Sequence, residues 1–223
     1  MPCYKIASFE NTDLNLLRAV ASTGKPLIIS TGMATLAELD ESITAIRESG
    51  CKEFVLLKCT STYPSLPADS NLVTIPHMRS LFRCEVGISD HTLGIGVALA
   101  GIAMGATVIE KHFTLDRSDG GIDSAFSLEP SEMAQLVEES KRAWQSLGVI
   151  SYGPTTTEVN SLQYRRSLYV IKDIKVGDIL SEDNIRAIRP GLGLPTKYLS
   201  YFYGKKVTKD LTRGTPVTWD ILH

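Results

Sequence analysis

Two histidines, His91 and His112, are the residues of this sequence whose type and spacing point most directly to chemistry. Each follows a short apolar run that is typical of a β-strand, and a segment with helical character, 95–105, separates them. In a barrel of parallel strands and helices, the carboxyl ends of neighbouring strands lie at the same end. Two imidazoles that converge there can hold a divalent metal ion.

The elements that must position these histidines form a regular alternation of short β-like runs and longer helical ones. Strands are expected at 4–7, 26–29, 54–57, 86–88 and from 107, and helices at 13–22, 35–50, 71–82, 97–104 and 129–147. A capping box, Thr35-x-x-Glu38, marks one helix start, and Glu129 precedes another. This α/β order predicts a parallel sheet with helical crossovers. Polar residues follow every strand, which favours a β/α barrel over an open doubly wound sheet.

A closed barrel of this kind has eight β/α units, whereas the alternation supplies about five. We therefore expect residues 1–149 to form a partial (β/α)8 TIM barrel that lacks the first three strands or so, and with them part of the pocket wall. Residues 150–163 are rich in Thr, Ser, Gly and Pro and predict a linker. Residues 164–223 predict a small, mostly β domain.

The composition excludes several classes of partner. A net charge of −2 gives no electrostatic case for nucleic acid or an anionic membrane. No apolar run approaches the roughly 20 residues of a membrane span, and the first residues do not have the pattern of a signal peptide. The four cysteines lack a CxxC spacing, which predicts reduced, mostly buried thiols of a cytoplasmic protein rather than a disulfide framework or a zinc site.

The chain resembles the sialic acid synthase family in seven segments that follow the family's order over its whole length. They are YKIASFE, LIISTGM, LKCTSTYP, GISDHTLG, VIEKHFTLDR, GGIDSAFSLEP and IRPGLGLP. SDHTLG followed by EKHF is highly specific, and the C-terminal region is similar to the small antifreeze-like (SAF) domain of these enzymes. Within the family, GGIDSAFSLEP is most similar to pseudaminic acid synthases, with N-acetylneuraminate and legionaminate synthases as near alternatives.

The resemblance implies a condensation in which C3 of phosphoenolpyruvate attacks the aldehyde carbon of an open-chain N-acetylated amino hexose. Water then attacks C2, and phosphate leaves with cleavage of a C–O bond. The resemblance makes His91 and His112 the ligands of Mn²⁺ or Mg²⁺, which acts as a Lewis acid on the aldehyde oxygen. Because the expected barrel is incomplete, we expect the chain by itself to be weakly active or inactive.

The resemblance also implies roles for residues at or near the strand ends. Phosphoenolpyruvate binding is assigned to Lys5, Ser8, Ser30, Ser61 and Ser89, although the family often has asparagine at the position of Ser61. Sugar binding is assigned to Tyr63, Asp123 and Arg189. Arg189 is similar to the arginine that the small domain of these enzymes inserts into the site of a partner subunit, so the resemblance implies a domain-swapped homodimer. Glu10 is a candidate acid–base group. Alternation along the strand points Glu110 to the same face as His112, either as a second acid–base group or as a partner of the metal ligands, and which carboxylate is the base stays open.

Several alternatives stay open at this point. Phe126 either lines the sugar pocket or packs in the core, and Asp90 and Glu129 are expected to cap a loop and a helix. The chain as a whole is alternatively a fragment without catalysis that serves as a binding or dimerisation module. A third interpretation is an unrelated barrel aldolase with a Schiff-base lysine, Lys5 or Lys111, but it explains neither the paired histidine motifs nor the C-terminal domain.

Overall fold

The computed structural model describes residues 2–222, which form two compact units divided between Val149 and Ile150. The first unit confirms the five predicted β/α units. Its strands are β1 (Tyr4–Ile6), β2 (Leu27–Ser30), β3 (Phe54–Cys59), β4 (Glu85–Asp90) and β5 (Ile109–Lys111). Its helices are α1 (Leu14–Ala21), α2 (Leu36–Glu48), α3 (Thr74–Phe82), α4 (Gly96–Ala103) and α5 (Pro130–Leu147).

The five strands make one parallel sheet in which each strand pairs with the next strand along the chain. Sequential parallel neighbours with a helix in each crossover are the arrangement of a β/α barrel, of which this sheet is a part. The register sets Cys59 opposite Ser89 and Ser89 opposite Glu110. Polar strand ends that are far apart in sequence therefore meet at one edge of the sheet.

The core of the first unit lies between the sheet and its helices. Its members are mainly branched apolar side chains, including Leu17, Leu27, Ile29, Ile43, Ile46, Leu56, Ile75, Val86 and Ile88. Burial of such side chains stabilises the fold by roughly 1.5–3 kcal/mol each. This layer holds the strands rigidly and so fixes the positions of the residues at their carboxyl ends.

Two helices begin as predicted. The Thr35 hydroxyl accepts the N–H of Glu38 at 3.3 Å, and the Glu38 carboxylate accepts the N–H of Thr35 at 2.7 Å, which completes a capping box. Glu129 caps α5 in the same way together with Glu132. The predicted capping role of Glu129 is therefore confirmed.

The second unit contains an antiparallel pair, β6 (Ser167–Val170) and β7 (Ile185–Ile188), and a short helix, α6 (Leu199–Phe202). Isolated antiparallel β-bridges occur as well, such as Tyr169 to Pro216 and Ile174 to Leu211, and the core of this unit includes Phe202. The segment predicted as a linker, 150–163, overlaps a 3-10 turn at Val159–Tyr164.

Two predictions about the whole chain can be compared with the structure. All four cysteines, Cys3, Cys51, Cys59 and Cys84, are free thiols, and Cys51 and Cys59 are buried. Among residues 2–222, no helix combines the length and the apolar character that crossing a bilayer requires.

Candidate active site

The two histidines lie side by side at the carboxyl ends of β4 and β5. Asp90 and Lys111 are register partners at the ends of these strands, and His91 and His112 are the residues that follow them. The imidazole centroids are 5.2 Å apart with their planes at 65°. His91 is buried, whereas the side chain of His112 is 31% exposed, so the pair is accessible from one side.

Nδ1 of each imidazole lies near an oxygen atom of the protein. Nδ1 of His91 lies 2.9 Å from the carbonyl oxygen of Thr60. Because a carbonyl only accepts, Nδ1 carries the proton in the neutral ring, and Nε2 keeps its lone pair. Nδ1 of His112 lies 3.6 Å from Oδ2 of Asp123, which favours the same tautomer. Two unprotonated Nε2 atoms are a donor set that suits a divalent transition-metal ion.

The surroundings move the pKa values of the two imidazoles in opposite directions. Burial acts to lower the pKa of His91, but hydrogen bonds with Cys59 and the Thr60 carbonyl outweigh burial and raise the pKa above its ordinary value. Burial and the charge of His91 lower the pKa of His112. In the metal-free protein, His91 is therefore the first of the two to take up a proton.

A cavity of about 390 Å³ lies in front of the histidines. Eight of the predicted site residues line it: Lys5, Ser8, Ser30, Tyr63, Ser89, His91, Glu110 and His112. The sequence-based expectation that polar strand ends converge thus corresponds to one connected space. Among residues 2–222, no group of three or more histidine, cysteine or acidic side chains is arranged to hold a metal ion.

Lys5, Ser30 and Glu110 form a polar group on one wall of this cavity. Lys5 Nζ donates to Ser30 Oγ at 2.8 Å and lies 3.5 Å from Glu110 Oε2. Ser30 Oγ donates to the same carboxylate oxygen at 3.4 Å. Alternation along β5 accounts for the position of Glu110, because residues two apart share a face of the sheet and His112 also lines the cavity.

A pair of serines lies on another wall. Ser61 Oγ donates to Ser8 Oγ at 2.7 Å, so Ser61 reaches the cavity through Ser8. Asn11, which is buried, holds the end of β2 by donating to the carbonyl oxygens of Ser30 at 2.9 Å and Thr31 at 2.8 Å. Sequence reasoning missed Asn11, since nothing in its neighbours indicates which carbonyls it meets.

Glu10 occupies a different environment from the other candidate acid–base group. Its exposed carboxylate accepts the N–H of Ala7 at 3.1 Å in the turn after β1. Ala7 lines the cavity, whereas Glu10 is not one of the described residues that line it. The structure thus brings Glu110, and not Glu10, into contact with Lys5 and Ser30.

Aromatic rings surround the histidine pair. The Tyr63 ring lies 4.3 Å from His91 between centroids, and the Phe126 ring lies 4.9 Å from His112. Phe126 is 6% exposed, so of its two predicted roles the structure supports core packing, with its ring plane at 62° to that of His112. Tyr63 is 43% exposed and stays accessible from the cavity side, and burial raises the pKa of its phenol.

Cys59 is a member of the site that the sequence did not single out. It ends β3, lines the cavity, and lies 3.8 Å from Ser61 between Sγ and Oγ. Burial acts to raise the pKa of the thiol, but hydrogen bonds with His91, Ser61 and Ser89 outweigh burial and lower it. The strand-end rule that selected its neighbours also applies to Cys59, whereas the lack of a CxxC spacing pointed to a structural role.

The remaining candidates have clear positions. Arg189 belongs to the second unit, where it is exposed and directly follows β7. Lys111 lines the cavity, but its Nζ is paired with Asp90 at 2.8 Å, which favours the charged ammonium over the free amine that a Schiff base needs.

Comparisons with known proteins agree on one family. The sequence model of the NeuB family matches residues 1–152, and that of the SAF domain matches residues 165–222. The chain is 42% identical over 211 residues to the pseudaminic acid synthase of Campylobacter jejuni, covering 95% of this chain and 62% of that protein. It is 39% identical over 210 residues to the N,N'-diacetyllegionaminic acid synthase of the same species, covering 93% of this chain and 63% of that protein.

A solved structure is similar as well. The N-acetylneuraminic acid (sialic acid) synthetase of Leptospira borgpetersenii, in complex with citrate, superposes with a TM-score of 0.68 and 37% identity. The match covers 74% of this chain and 57% of that one. The chain thus spans 62–63% of the length of the two relatives from Campylobacter jejuni.

Proposed function

This chain belongs to the NeuB family, and on that premise we propose that it carries the reaction centre of a nonulosonic acid synthase. The reaction joins C3 of phosphoenolpyruvate to the aldehyde carbon of an N-acetylated amino hexose and releases phosphate. One observation carries the proposal. His91 and His112, whose imidazole centroids are 5.2 Å apart, line the same cavity as the Lys5–Ser30–Glu110 group.

The polar wall suits an anion with a phosphate and a carboxylate. Lys5 supplies a positive charge, and Ser8, Ser30 and Ser89 supply hydroxyl donors around the same space. In the structure, Lys5 is directed at Ser30 and Glu110. Phosphoenolpyruvate would accept hydrogen bonds from these donors. Its negative charge would also replace part of the electrostatic stabilisation that the Glu110 carboxylate gives the Lys5 ammonium group.

The histidine pair suits a metal ion. His91 and His112 would hold Mn²⁺ or Mg²⁺, which polarises the aldehyde oxygen of the sugar when it is bound. The Thr60 carbonyl accepts from Nδ1 of His91 in the tautomer that leaves Nε2 free, and the Asp123 carboxylate, 3.6 Å from Nδ1 of His112, favours the same tautomer there. This second layer of contacts is the kind that orients histidine ligands in metalloenzymes.

Proton transfer is assigned to Glu110. The aldehyde oxygen becomes a hydroxyl and takes up a proton, while the water that adds at C2 gives one up. The position of Glu110 supports either task, since its carboxylate lines the cavity and contacts Lys5 and Ser30. Glu10 is the second candidate, in a turn whose Ala7 lines the same space.

Sugar recognition is assigned to Tyr63 and Asp123 of the first unit and to Arg189 of a second copy. Arg189 projects from a loop that Ser167 anchors, by donating to the Pro190 carbonyl at 2.6 Å and accepting the Gly193 N–H at 2.9 Å. A fixed loop with an exposed guanidinium suits insertion into a partner's site, as in a domain-swapped homodimer.

Free thiols support a cytoplasmic location.

The substrate that we propose is a 6-deoxy, di-N-acetylated hexose, which makes the product pseudaminic acid. The 42% identity to a pseudaminic acid synthase supports this choice. Legionaminic acid synthesis is the second candidate, since a relative with that activity is 39% identical. Competition between the two stereoisomeric sugars, with the products separated by chromatography, distinguishes them: a dominant legionaminic product would reject the first choice.

The test of the reaction is a phosphate-release assay with mass detection of the sugar acid. Because five strands leave the barrel open, we expect slow turnover, so the chain is used at substrate-level concentration. Phosphate should appear only when Mn²⁺, phosphoenolpyruvate and the amino sugar are all present. His112→Ala should abolish it, and His77→Ala, at an exposed position of α3, should not. Release that His112→Ala leaves intact would contradict the proposal.

Exchange of the second unit has its own test. In a swapped dimer, a mixture of His112→Ala chains and Arg189→Ala chains contains sites with both groups intact. Such mixed sites require that the arginine of one copy serves the histidines of the other. We expect the mixture to recover phosphate release that neither variant shows alone. Two inactive variants that stay inactive when mixed, despite exchange of subunits, would reject the swap.

A further inference from the structure

Asp90 and Lys111 form an ion pair inside the protein. Lys111 Nζ lies 2.8 Å from Asp90 Oδ2, and each side chain is 1% exposed. The two residues are also register partners on the neighbouring strands β4 and β5. The pair therefore bridges the two strand ends directly before His91 and His112.

Thr92 completes the contacts of the pair. Asp90 Oδ1 accepts the N–H of Thr92 at 2.9 Å and its hydroxyl at 2.7 Å. Lys111 Nζ donates to the Thr92 carbonyl at 2.6 Å. Both charged groups are thus hydrogen-bonded to the residue on the far side of His91, so this histidine lies between two points that the ion pair fixes.

Stability alone does not explain such a pair. Removing two charges from water is unfavourable, and a well-packed apolar pair of similar volume commonly stabilises a fold at least as well. A hydrogen-bonded ion pair instead specifies geometry. Its bonds form only when the two strands are in one register and the loop has one conformation. At this place in the fold, the register of β4 and β5 sets the distance between two imidazoles.

We propose that Asp90 and Lys111 are a positioning pair that fixes the spacing of His91 and His112 for metal binding. The proposal deepens the function given above and rests on it for the identity of the ligand. Neither side chain needs to touch the metal ion or a substrate. Their effect passes through the backbone, from the ends of β4 and β5 to the two imidazoles.

The test compares the wild-type chain of 223 residues with two double variants of it. Asp90→Asn/Lys111→Met removes both charges together and so leaves no lone buried charge. Lys175→Met/Asp210→Asn is the matched control, since it removes an exposed pair with the same 2.8 Å separation. Mn²⁺ affinity is measured by the electron paramagnetic resonance signal of the free ion. We expect about 10–100-fold weaker binding for the first double variant, the range found for outer-shell partners of metal ligands, and no change for the control.

A second readout needs no metal. With carbon-13 in the ring of each of the four histidines, the ring signals of the metal-free chain report the environment of each imidazole. In the wild type, each of the two imidazoles lies in the ring-current field of the other, because their centroids are 5.2 Å apart. We expect both signals to move in Asp90→Asn/Lys111→Met, while the signal of the exposed His77 stays in place.

A milder variant covers the case in which Asp90→Asn/Lys111→Met does not fold. Lys111→Arg keeps the charge, but a planar guanidinium places its donors differently from one ammonium nitrogen. We expect a folded chain whose two histidine signals move and whose Mn²⁺ affinity falls several-fold. Unmoved signals together with wild-type affinity in either variant overturn the positioning role.

The two proposals fail in different ways. If the wild-type chain binds no Mn²⁺, the proposed metal centre is wrong, and the histidine signals alone decide the role of the ion pair. Movement of both signals then supports positioning of the imidazoles, and unmoved signals reject it. If the wild type binds Mn²⁺ and the double variant binds it equally well with unmoved signals, the positioning role alone is wrong.

Discussion

Gly32 lies so close to Ser8 that a Cβ atom at position 32 would be 2.4 Å from the Cβ of Ser8. The same atom would be 2.7 Å from Oγ of Ser61, the hydroxyl that donates to Ser8. Gly32 also has φ +51°, which a residue with a side chain rarely adopts. The loop after β2 therefore packs its backbone directly onto the proposed phosphoenolpyruvate site.

Gly32→Ala should weaken phosphoenolpyruvate binding by about tenfold, which corresponds to ~1.4 kcal/mol, because the new methyl group displaces Ser8 and Ser61. We expect a further loss of about 1–3 kcal/mol in the free energy of unfolding, as for other overpacked sites. Calorimetric titration and urea denaturation measure the two effects. Gly24→Ala is the matched control, since Gly24 has φ +73° but no atom within 4 Å of the added Cβ. Equal phosphoenolpyruvate affinity in the two variants would show that the crowding is unimportant.

Asn11→Ala should destabilise the chain by about 1–3 kcal/mol, because it leaves the buried carbonyls of Ser30 and Thr31 without their donor. The free energy of unfolding from urea denaturation checks this value. Asn15→Ala, at an exposed position of α1, should change it by at most about 0.5 kcal/mol. A loss for Asn11→Ala as small as that of the control would mean that water replaces the donor.

Stability should depend on pH through the capping box of α2. Hydrogen bonds from the backbone and side chain of Thr35 lower the pKa of Glu38. A carboxylate with a lower pKa in the folded state contributes stability above its unfolded pKa, and the contribution is lost as the pH falls through the folded pKa. Glu38→Gln should therefore be less stable than the wild type at pH 7, and the difference should shrink at acidic pH. Urea denaturation at both pH values measures the difference, with the exposed Glu41→Gln as control. A difference that is constant with pH would contradict this role.

The sequence was sufficient to predict those features of the fold and the site that follow from the order of the elements along the chain. Parallel strands bring all their carboxyl ends to one edge, so His91 and His112 could be placed together without knowledge of the pairing. Helix starts such as Thr35 and Glu129 were predictable because capping involves residues only a few positions apart. These local rules account for the five β/α units and for the convergence of most of the site.

Other features depend on contacts that no local pattern contains. The pairing of Asp90 with Lys111 follows from the register of two strands, and the bonds of Asn11 depend on where two carbonyls happen to lie. Strand β7 was not predicted, because Arg186 interrupts its short apolar run and its partner β6 is distant in sequence. The sequence pattern of Cys59 is that of an ordinary core residue, and its hydrogen bond with His91 is a contact between two strand ends that no local pattern predicts.

Stoichiometric binding of Mn²⁺ to the full chain tests the central claim most directly, that His91 and His112 hold one divalent cation between them. Electron paramagnetic resonance should show one bound ion per chain in the wild type and in His77→Ala. His91→Ala and His112→Ala should each weaken binding by about 100-fold or more, since even outer-shell partners of a ligand contribute 10–100-fold. Wild-type affinity in both of these variants, with their fold intact, would contradict the account.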